Sequence, residues 1–326
     1  MTAPIEFGLL AMYAEDMYVD GALLPTAEPR IAAAGWDIVA YLTAQDVLIP
    51  DSDAPTQRLG VDPTKRVFYG FLARDKANPA SFVAVVRGTE GIIEWLIDAE
   101  FLLIPHPRHA GVQVEQGFWN IYQTMSLADA ATGVTTFQNA AEGIAKTVGA
   151  GSVTVTGHSL GSALATYLTD DLAERLGPRA SACLFASPRT GDAAWTALFA
   201  STVTNYQLYN YILDLVTHVP ALGYATLTNA TVIQPATAQA GIRLDIFCNH
   251  HAICYCAMID YAGTLPFTTS PQDASCVACI SPPPMSDEAK GLAAVINAFG
   301  VGDQKAVAML KSLHPLVRSR LAPATA

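Results

Sequence analysis

The stretch Gly157-His158-Ser159-Leu160-Gly161 sets a serine between two glycines at the spacing Gly-x-Ser-x-Gly. That pattern carries chemical meaning only where a strand leads into it and a helix leads out. Both are legible here. Ser152–Thr156 is rich in Val and Thr, as a core strand is, and Leu160, Leu164, Leu168, Leu172 and Leu176 then recur every four residues as one stripe of a helix. A serine on so tight a bend stands above the sheet, and glycine at 157 and 161 removes the side chains that would collide across the turn. The helix N-terminus beneath it offers partial positive charge to a developing oxyanion. The chemistry expected of Ser159 is nucleophilic attack on a carbonyl carbon. His158 is read as structural, because the bend makes adjacent side chains diverge.

In this arrangement an acid and then a histidine follow the serine along the chain. His106, His109 and His158 precede Ser159, His218 stands too close to any plausible acid, and His314 lies in the tail. His250 and His251 remain. Asp170, Asp171 and Glu174 fall on the helix after the serine and point away from the strand ends, and Asp192 suits an N-cap. Asp214 closes the run Tyr206–Leu213, which reads as a strand, and the carboxyl ends of strands form the crevice of an open α/β sheet. Asp214 is therefore the expected acid, holding the imidazole in its working tautomer. Asn249–Tyr261 reads as a helix start, in which adjacent side chains diverge by about 100°. One of the two histidines faces the serine, and residue chemistry does not choose between them.

The elements that must position these residues follow from the pattern. Val67–Ala73 and Ser81–Arg87 read as strands separated by the turn-rich Asp75–Pro79, which suggests an antiparallel hairpin at the sheet edge. The leucine-striped helix stops at Gly177-Pro178, Ala182–Ala186 is a strand, and Asp192 opens a further helix. Strand, helix, strand, helix, strand predicts an α/β fold with a mostly parallel central sheet and helices on both faces. Ser281-Pro-Pro-Pro284 is stiff and extended. Beyond it, Ser286–Phe299 and Gln304–Leu313 read as helices, so residues 1–284 are expected as one catalytic domain and 285–326 as a helical extension that packs back on it or covers its entrance.

Of the 326 residues 51% are hydrophobic and 14% charged, which gives a sizeable core and argues against disorder. The net charge of −11 would repel nucleic acid and an anionic membrane surface, so a neutral or apolar substrate fits better. Residues 1–20 contain no Lys or Arg, and Glu6, Glu15 and Asp16 interrupt their apolar run; neither a signal peptide nor a membrane span is expected. The expected location is the cytoplasm, with export by a non-classical route as the alternative. Among the six cysteines, Cys276-x-x-Cys279 has a zinc-like spacing but no second pair, so free thiols or one local disulfide are expected. No metal or cofactor is called for.

Four motifs, in order, resemble the class 3 lipase family, the group of the filamentous-fungal triacylglycerol lipases. They are Val86-Arg87-Gly88-Thr89 followed by Trp95 and Asp98; Gly157–Gly161; Ala186-Ser187-Pro188-Arg189-Thr190-Gly191; and Asp214-Leu215-Val216 with Val219-Pro220. The resemblance covers roughly residues 60–262. It implies an α/β-hydrolase fold without cofactor and a Ser159–Asp214–His250 triad, because the family's histidine often stands as Asn-His with Tyr five residues on, matched by Asn249, His250 and Tyr255. It implies that Thr89 and the backbone N–H of Leu160 hold the oxyanion. It also places a lid just after Thr89, in Gly91–Leu103, where Ile92, Ile93, Trp95 and Leu96 are the candidate lid residues. Such a segment would cover the cleft in water and touch a lipid interface transiently; an ordinary core helix is the competing reading. The chain departs from the family in running past its usual end and in lacking a secreted enzyme's disulfide set.

The activity expected is cleavage of carboxylic esters, with a small acyl ester or lipid as substrate. Phospholipase A1 or acyltransferase activity on the same triad, and a catalytically silent binding module, are the alternatives.

Overall fold

Ser81–Val86 (β3) and Ser152–His158 (β8) are both apolar or β-branched on nearly every residue, and they pair in parallel with Ser81 opposite Ser152 and Val86 opposite Gly157. Strands buried on both faces read this way. The chain is seen here as a computed structural model that describes residues 3–18, 22–45, 66–89, 93, 101–267 and 278–313. The remaining strands are Trp36–Gln45 (β1), Arg66–Asp75 (β2), Leu103–Pro105 (β4), Gln113–Glu115 (β5), Ser126–Asp129 (β6), Thr135–Phe137 (β7), Ala180–Phe185 (β9), Tyr206–Tyr211 (β10), Ala230–Ile233 (β11), Gly241–Ile242 (β12) and Ile280–Ser281 (β13). Among the described residues the main sheet has nine strands in the order β11-β10-β9-β8-β3-β2-β1-β6-β7. From β3 to β11 every pairing is parallel, and from β3 to β7 every pairing is antiparallel.

The sheet is thus mixed, with the parallel half carrying the serine turn. The Arg66–Asp75/Ser81–Val86 hairpin forms as expected, but it lies inside the sheet rather than at its edge. The physical reason is β1, which pairs with β2 on one side and β6 on the other. Asp37 and Gln45 dilute its apolar run, so its strand character depends on neighbours supplied from elsewhere in the chain.

Helices cover both faces, as an α/β architecture requires. The helix Leu160–Leu176 lies against β3, β8 and β9 and is flanked by the helices Gln116–Gln123, Ala140–Val148 and Ala193–Thr202. The helices Pro4–Asp16 and Ala252–Ile259 pack together on the opposite face, where Thr156 Oγ1 donates to the Phe7 carbonyl. The five leucines of the stripe are buried, but so are their neighbours: every residue from Leu160 to Ala173 is covered. Asp170 and Asp171, expected from the sequence to point away from the strand ends, are therefore interior carboxylates. The helix ends at Gly177, whose φ of +60° favours glycine.

Beyond the proline run, the helices Asp287–Phe299 and Gln304–Lys311 form, the first capped by Ser286 Oγ accepting from the Ala289 N–H. Their apolar faces, Ala289, Ala293, Ile296, Ala306 and Leu310, join the same hydrophobic core as the sheet. Polar contacts hold the turn between them to the loops after β9 and β10: Arg189 Nη2 donates to the Val301 carbonyl at 2.6 Å, and the Gly302 N–H donates to His218 Nδ1 at 3.1 Å.

Candidate active site

β8 runs straight into Ser159, whose φ of 58° is rare for a residue with a Cβ and marks a bend held by its surroundings. A Cβ on Gly157 would stand 2.5 Å from the carbonyl carbon and oxygen of Gly161. A Cβ on Gly161 would press into the end of β3, 2.6 Å from the Arg87 oxygen, and into the Val86 carbonyl as well. The two glycines thus do different work. The first lets the turn close on itself, and the second lets the helix start lie against the neighbouring strand. Ser159 is 1% exposed.

Its hydroxyl meets a histidine brought from 91 residues downstream. His250 Nε2 lies 2.7 Å from Ser159 Oγ, and His250 Nδ1 lies 2.8 Å from Asp214 Oδ2. Asp214 follows β10 and caps the short turn Leu215–His218, its Oδ1 accepting from the Val216 N–H at 2.9 Å. Its Oδ2 accepts a further bond, 2.7 Å long, from the Tyr255 hydroxyl, which itself accepts from the Tyr211 N–H at 2.9 Å. Asp214 is fully buried, so these donors replace the water that an ionised carboxylate would otherwise need.

The histidines differ from expectation in one respect. They precede the helix Ala252–Ile259 rather than opening it: His250 lies in a turn closed by its N–H on the Phe247 carbonyl, and His251 is the N-cap. The Asn249 side chain donates to the Leu213 carbonyl at 3.0 Å and ties this turn to the end of the acid's strand. Burial, helped by the neighbouring His250 and His158, depresses His251 to about 4. That keeps its ring neutral over ordinary pH.

His158 has both ring nitrogens occupied, Nδ1 at 3.0 Å from Glu15 Oε1 and Nε2 at 2.6 Å from the backbone carbonyl of His250. The two partners, a carboxylate and a backbone carbonyl, are both acceptors, an arrangement that favours the charged ring. Burial opposes that charge, yet the Glu15 carboxylate and the His250 carbonyl leave the pKa raised. His158 thereby fastens the backbone of His250 to the N-terminal helix. Glu15 was not singled out from the sequence; a partner 143 residues away leaves no local signal. Tyr255 belongs to a motif in the sequence, but its bond to Asp214 joins residues 41 apart and leaves no local signal either.

The strand-end turn after β3 is shaped by Arg87, buried between the rings of Tyr18 and Tyr69 at 3.7 and 4.5 Å. Its guanidinium donates to the Phe68 and Gly88 carbonyls and to Thr89 Oγ1. A Cβ on Gly88 would come within 3.1 Å of the His158 carbonyl, so this turn abuts the serine bend. Leu160 is the first residue of its helix, where a backbone N–H has no helical partner. Of the candidate lid residues, Ile92, Trp95 and Leu96 lie outside the described residues; Ile93 is described and is buried.

Cys248 and Cys279 form a disulfide across 31 residues, linking the segment just before His250 to β13. Cys276 lies outside the described residues, Cys183 and Cys256 are free and buried, and Cys254 is buried. The Cys-x-x-Cys spacing therefore does not predict the pairing of Cys279. One described group of residues, His106, His109 and Asp170, is close enough to hold a metal ion, and it shares no member with Ser159, Asp214 and His250.

A mixed sheet with a parallel half, a strained serine on a strand-to-helix bend, an acid past a later strand and a histidine beyond it together define the α/β-hydrolase class. Within that class, the chain is similar to the class 3 lipases. Residues 83–224 match the model of that family, described as lipase (class 3), and all four motifs fall within that stretch. The lipase of Rhizomucor miehei is 31% identical over 160 residues, which are 48% of this chain and 42% of that one. Phospholipase A1-IIgamma of Arabidopsis thaliana is 30% identical over 164 residues, 43% of this chain and 38% of its own length. The chain thus matches about two fifths of the length of these curated relatives. The crystal structure of a mutant MDLA from Penicillium cyclopium superposes with a TM-score of 0.50 at 22% identity, covering 73% of this chain and 80% of that one, a likeness of fold.

Proposed function

We propose that this chain is a serine hydrolase that cleaves carboxylic esters of neutral acyl substrates through an acyl-enzyme on Ser159. The observation that carries the reading is the continuous chain Ser159 Oγ–His250–Asp214, with links of 2.7 and 2.8 Å. In the proposed reaction His250 Nε2 takes the hydroxyl proton as Oγ attacks the ester carbonyl. The oxyanion is received by the Leu160 N–H and by Thr89. Collapse expels the alcohol with the proton from His250, and a water, deprotonated by the same nitrogen, then releases the acid and Ser159. Asp214 stabilises the imidazolium, and its three donors hold it in orientation. His158 and Glu15 act one step removed, by fixing the backbone of the base.

The lipid or acyl ester is the proposed partner, met transiently at an interface with Ile92, Ile93, Trp95 and Leu96 as the lid. Similarity to both a lipase and a phospholipase A1 supports the ester bond more firmly than any one headgroup, so phospholipase A1 activity is the second reading. Residues 1–284 would form the hydrolase unit and 285–326 an extension that buttresses the loop carrying Asp214. No helix among the described residues is long and apolar enough to cross a membrane. The Cys248–Cys279 disulfide supports an oxidising compartment over the cytoplasm.

The test is hydrolysis of p-nitrophenyl esters from two to eighteen carbons, and of phosphatidylcholine, by wild type and Ser159→Ala. Wild-type turnover that falls to background in the variant is expected. Equal rates in both proteins would remove the proposal, and preference for the phospholipid would select the second reading.

A further inference from the structure

The turn between β4 and β5 and the nucleophile helix share a polar cluster that the ester chemistry does not use. His106 and His109, three residues apart, come from the turn; Asp170 and Glu174, one helical turn apart, come from the helix. One ligating atom each of His106, His109 and Asp170 lies within 4.8 Å of the others. Two of these side chains are closed off from water, His106 at 4% and Asp170 at 1% exposure. Yet His106 Nε2 and Asp170 Oδ1 have no hydrogen-bond partner among the described residues. Buried polar atoms are almost always paired, and two orphans in one cluster call for an occupant.

The charge count points to the occupant's sign. Asp170, Asp171 and Glu174 bring three carboxylates, and Arg108 answers with one guanidinium, paired to Asp171 and lying 3.9 Å from Asp170 and 3.6 Å from Glu174. Two negative charges are left over, so a divalent cation would neutralise the cluster. The donor set points to its identity. Calcium and magnesium take oxygen ligands almost entirely, whereas two imidazoles with a carboxylate suit zinc.

We infer that His106, His109 and Asp170 bind one zinc ion, with Glu174 beside His109 available as the fourth ligand. Glu174 Oε1 is already 3.2 Å from His109 Nε2. Tetrahedral zinc with bonds of about 2.0–2.1 Å spaces its ligands about 3.3 Å apart, so the donors must draw in by up to about 1.5 Å. His109 is on a turn and part-exposed, so it can supply that movement. Binding through His106 Nε2 moves the ring proton to Nδ1 and sacrifices the 3.2 Å bond from the Arg108 N–H, one long hydrogen bond against three metal bonds. The ion would pin the turn to the helix that begins at the nucleophile. It would also fix the far root of the lid-matching segment, which runs into β4.

The test is calorimetric titration of metal-stripped full-length protein with zinc chloride, with thermal melts at 100 µM zinc or calcium. One zinc per chain with Kd of about 1 µM or tighter is expected, raising the melting temperature by about 5 °C; calcium should give no shift. His109→Ala, at a part-exposed position, and Asp170→Asn, nearly isosteric, should each weaken zinc binding at least tenfold. His109→Ala should also keep the metal-free melting temperature within about 2 °C of wild type. No binding at 100 µM zinc, or unchanged affinity in either folded variant, would overturn the assignment, and neither result depends on ester hydrolysis.

Discussion

Replacing Gly161 by Ala adds one methyl group, and the structure says where it goes. Its carbon would stand 2.6 Å from the Arg87 oxygen and 2.7 Å from the Arg87 carbonyl carbon, with the Val86 oxygen also in its way. These are backbone atoms at the end of a central strand, so they cannot rotate aside. Ordinary carbon–oxygen contact begins near 3.4 Å, so the start of the nucleophile helix must retreat from β3 by about 1 Å. The Ser159 Oγ to His250 Nε2 distance, 2.7 Å in the native chain, would then open towards about 3.7 Å, beyond hydrogen-bond range. The Leu160 N–H would retreat with it. Misplacement of this size costs about 10²-fold in rate, and overpacking adds about 1–3 kcal/mol of destabilisation. The assay is kcat on p-nitrophenyl butyrate at 25 °C, with a melting curve to establish that the variant is folded. A folded Gly161→Ala within threefold of the wild-type kcat would refute the idea that contact with β3 sets the position of the serine.

Tyr255→Phe removes one donor from Asp214 and leaves the Tyr211 N–H without its acceptor, both in the interior. The expected cost is about 2–4 kcal/mol of stability, read from the urea midpoint; an unchanged midpoint would show the bond to be idle. Glu115 caps the helix Gln116–Gln123 from inside the core, and burial raises its carboxyl from 4.5 to about 6. The native state therefore holds this proton more tightly than the unfolded chain, so stability is lost as pH rises from about 4.5 to about 6 and stays lost above. Glu115→Gln should stabilise the protein at pH 8 by up to about 2 kcal/mol and have little effect at pH 4. A variant equally stabilised at both pH values, or destabilised at pH 8, would contradict that linkage.

The parts legible in the sequence are those whose cause is local. The Val/Thr run, the glycine-flanked serine and the four-residue leucine repeat lie within some twenty-five residues and fold into a strand, a bend and a helix. Asp192 and Ser286 act as N-caps through bonds to residues three positions on, which sequence spacing conveys. Asp214 could be singled out because it follows a strand. What was not legible depends on distant partners. β1 is a strand because β2 and β6 flank it, and the hairpin expected at an edge is interior for that reason. Cys279 finds Cys248 rather than a cysteine in its own motif. The Glu15–His158 pair and the Tyr255–Asp214 bond join residues 143 and 41 apart, and no periodicity or composition announces them. The burial of Asp170 and Asp171 depends on helices packed around a third, which a stripe of leucines does not convey.

The most direct measurement is the rate at which a fluorophosphonate modifies the protein, followed by intact mass and peptide mapping in wild type, His250→Ala and His251→Ala. A single adduct on Ser159 is predicted in the wild type, formed at a similar rate in His251→Ala and at least about 10²-fold more slowly in His250→Ala. Modification of His250→Ala at the wild-type rate, or an adduct on any other residue, would contradict the account.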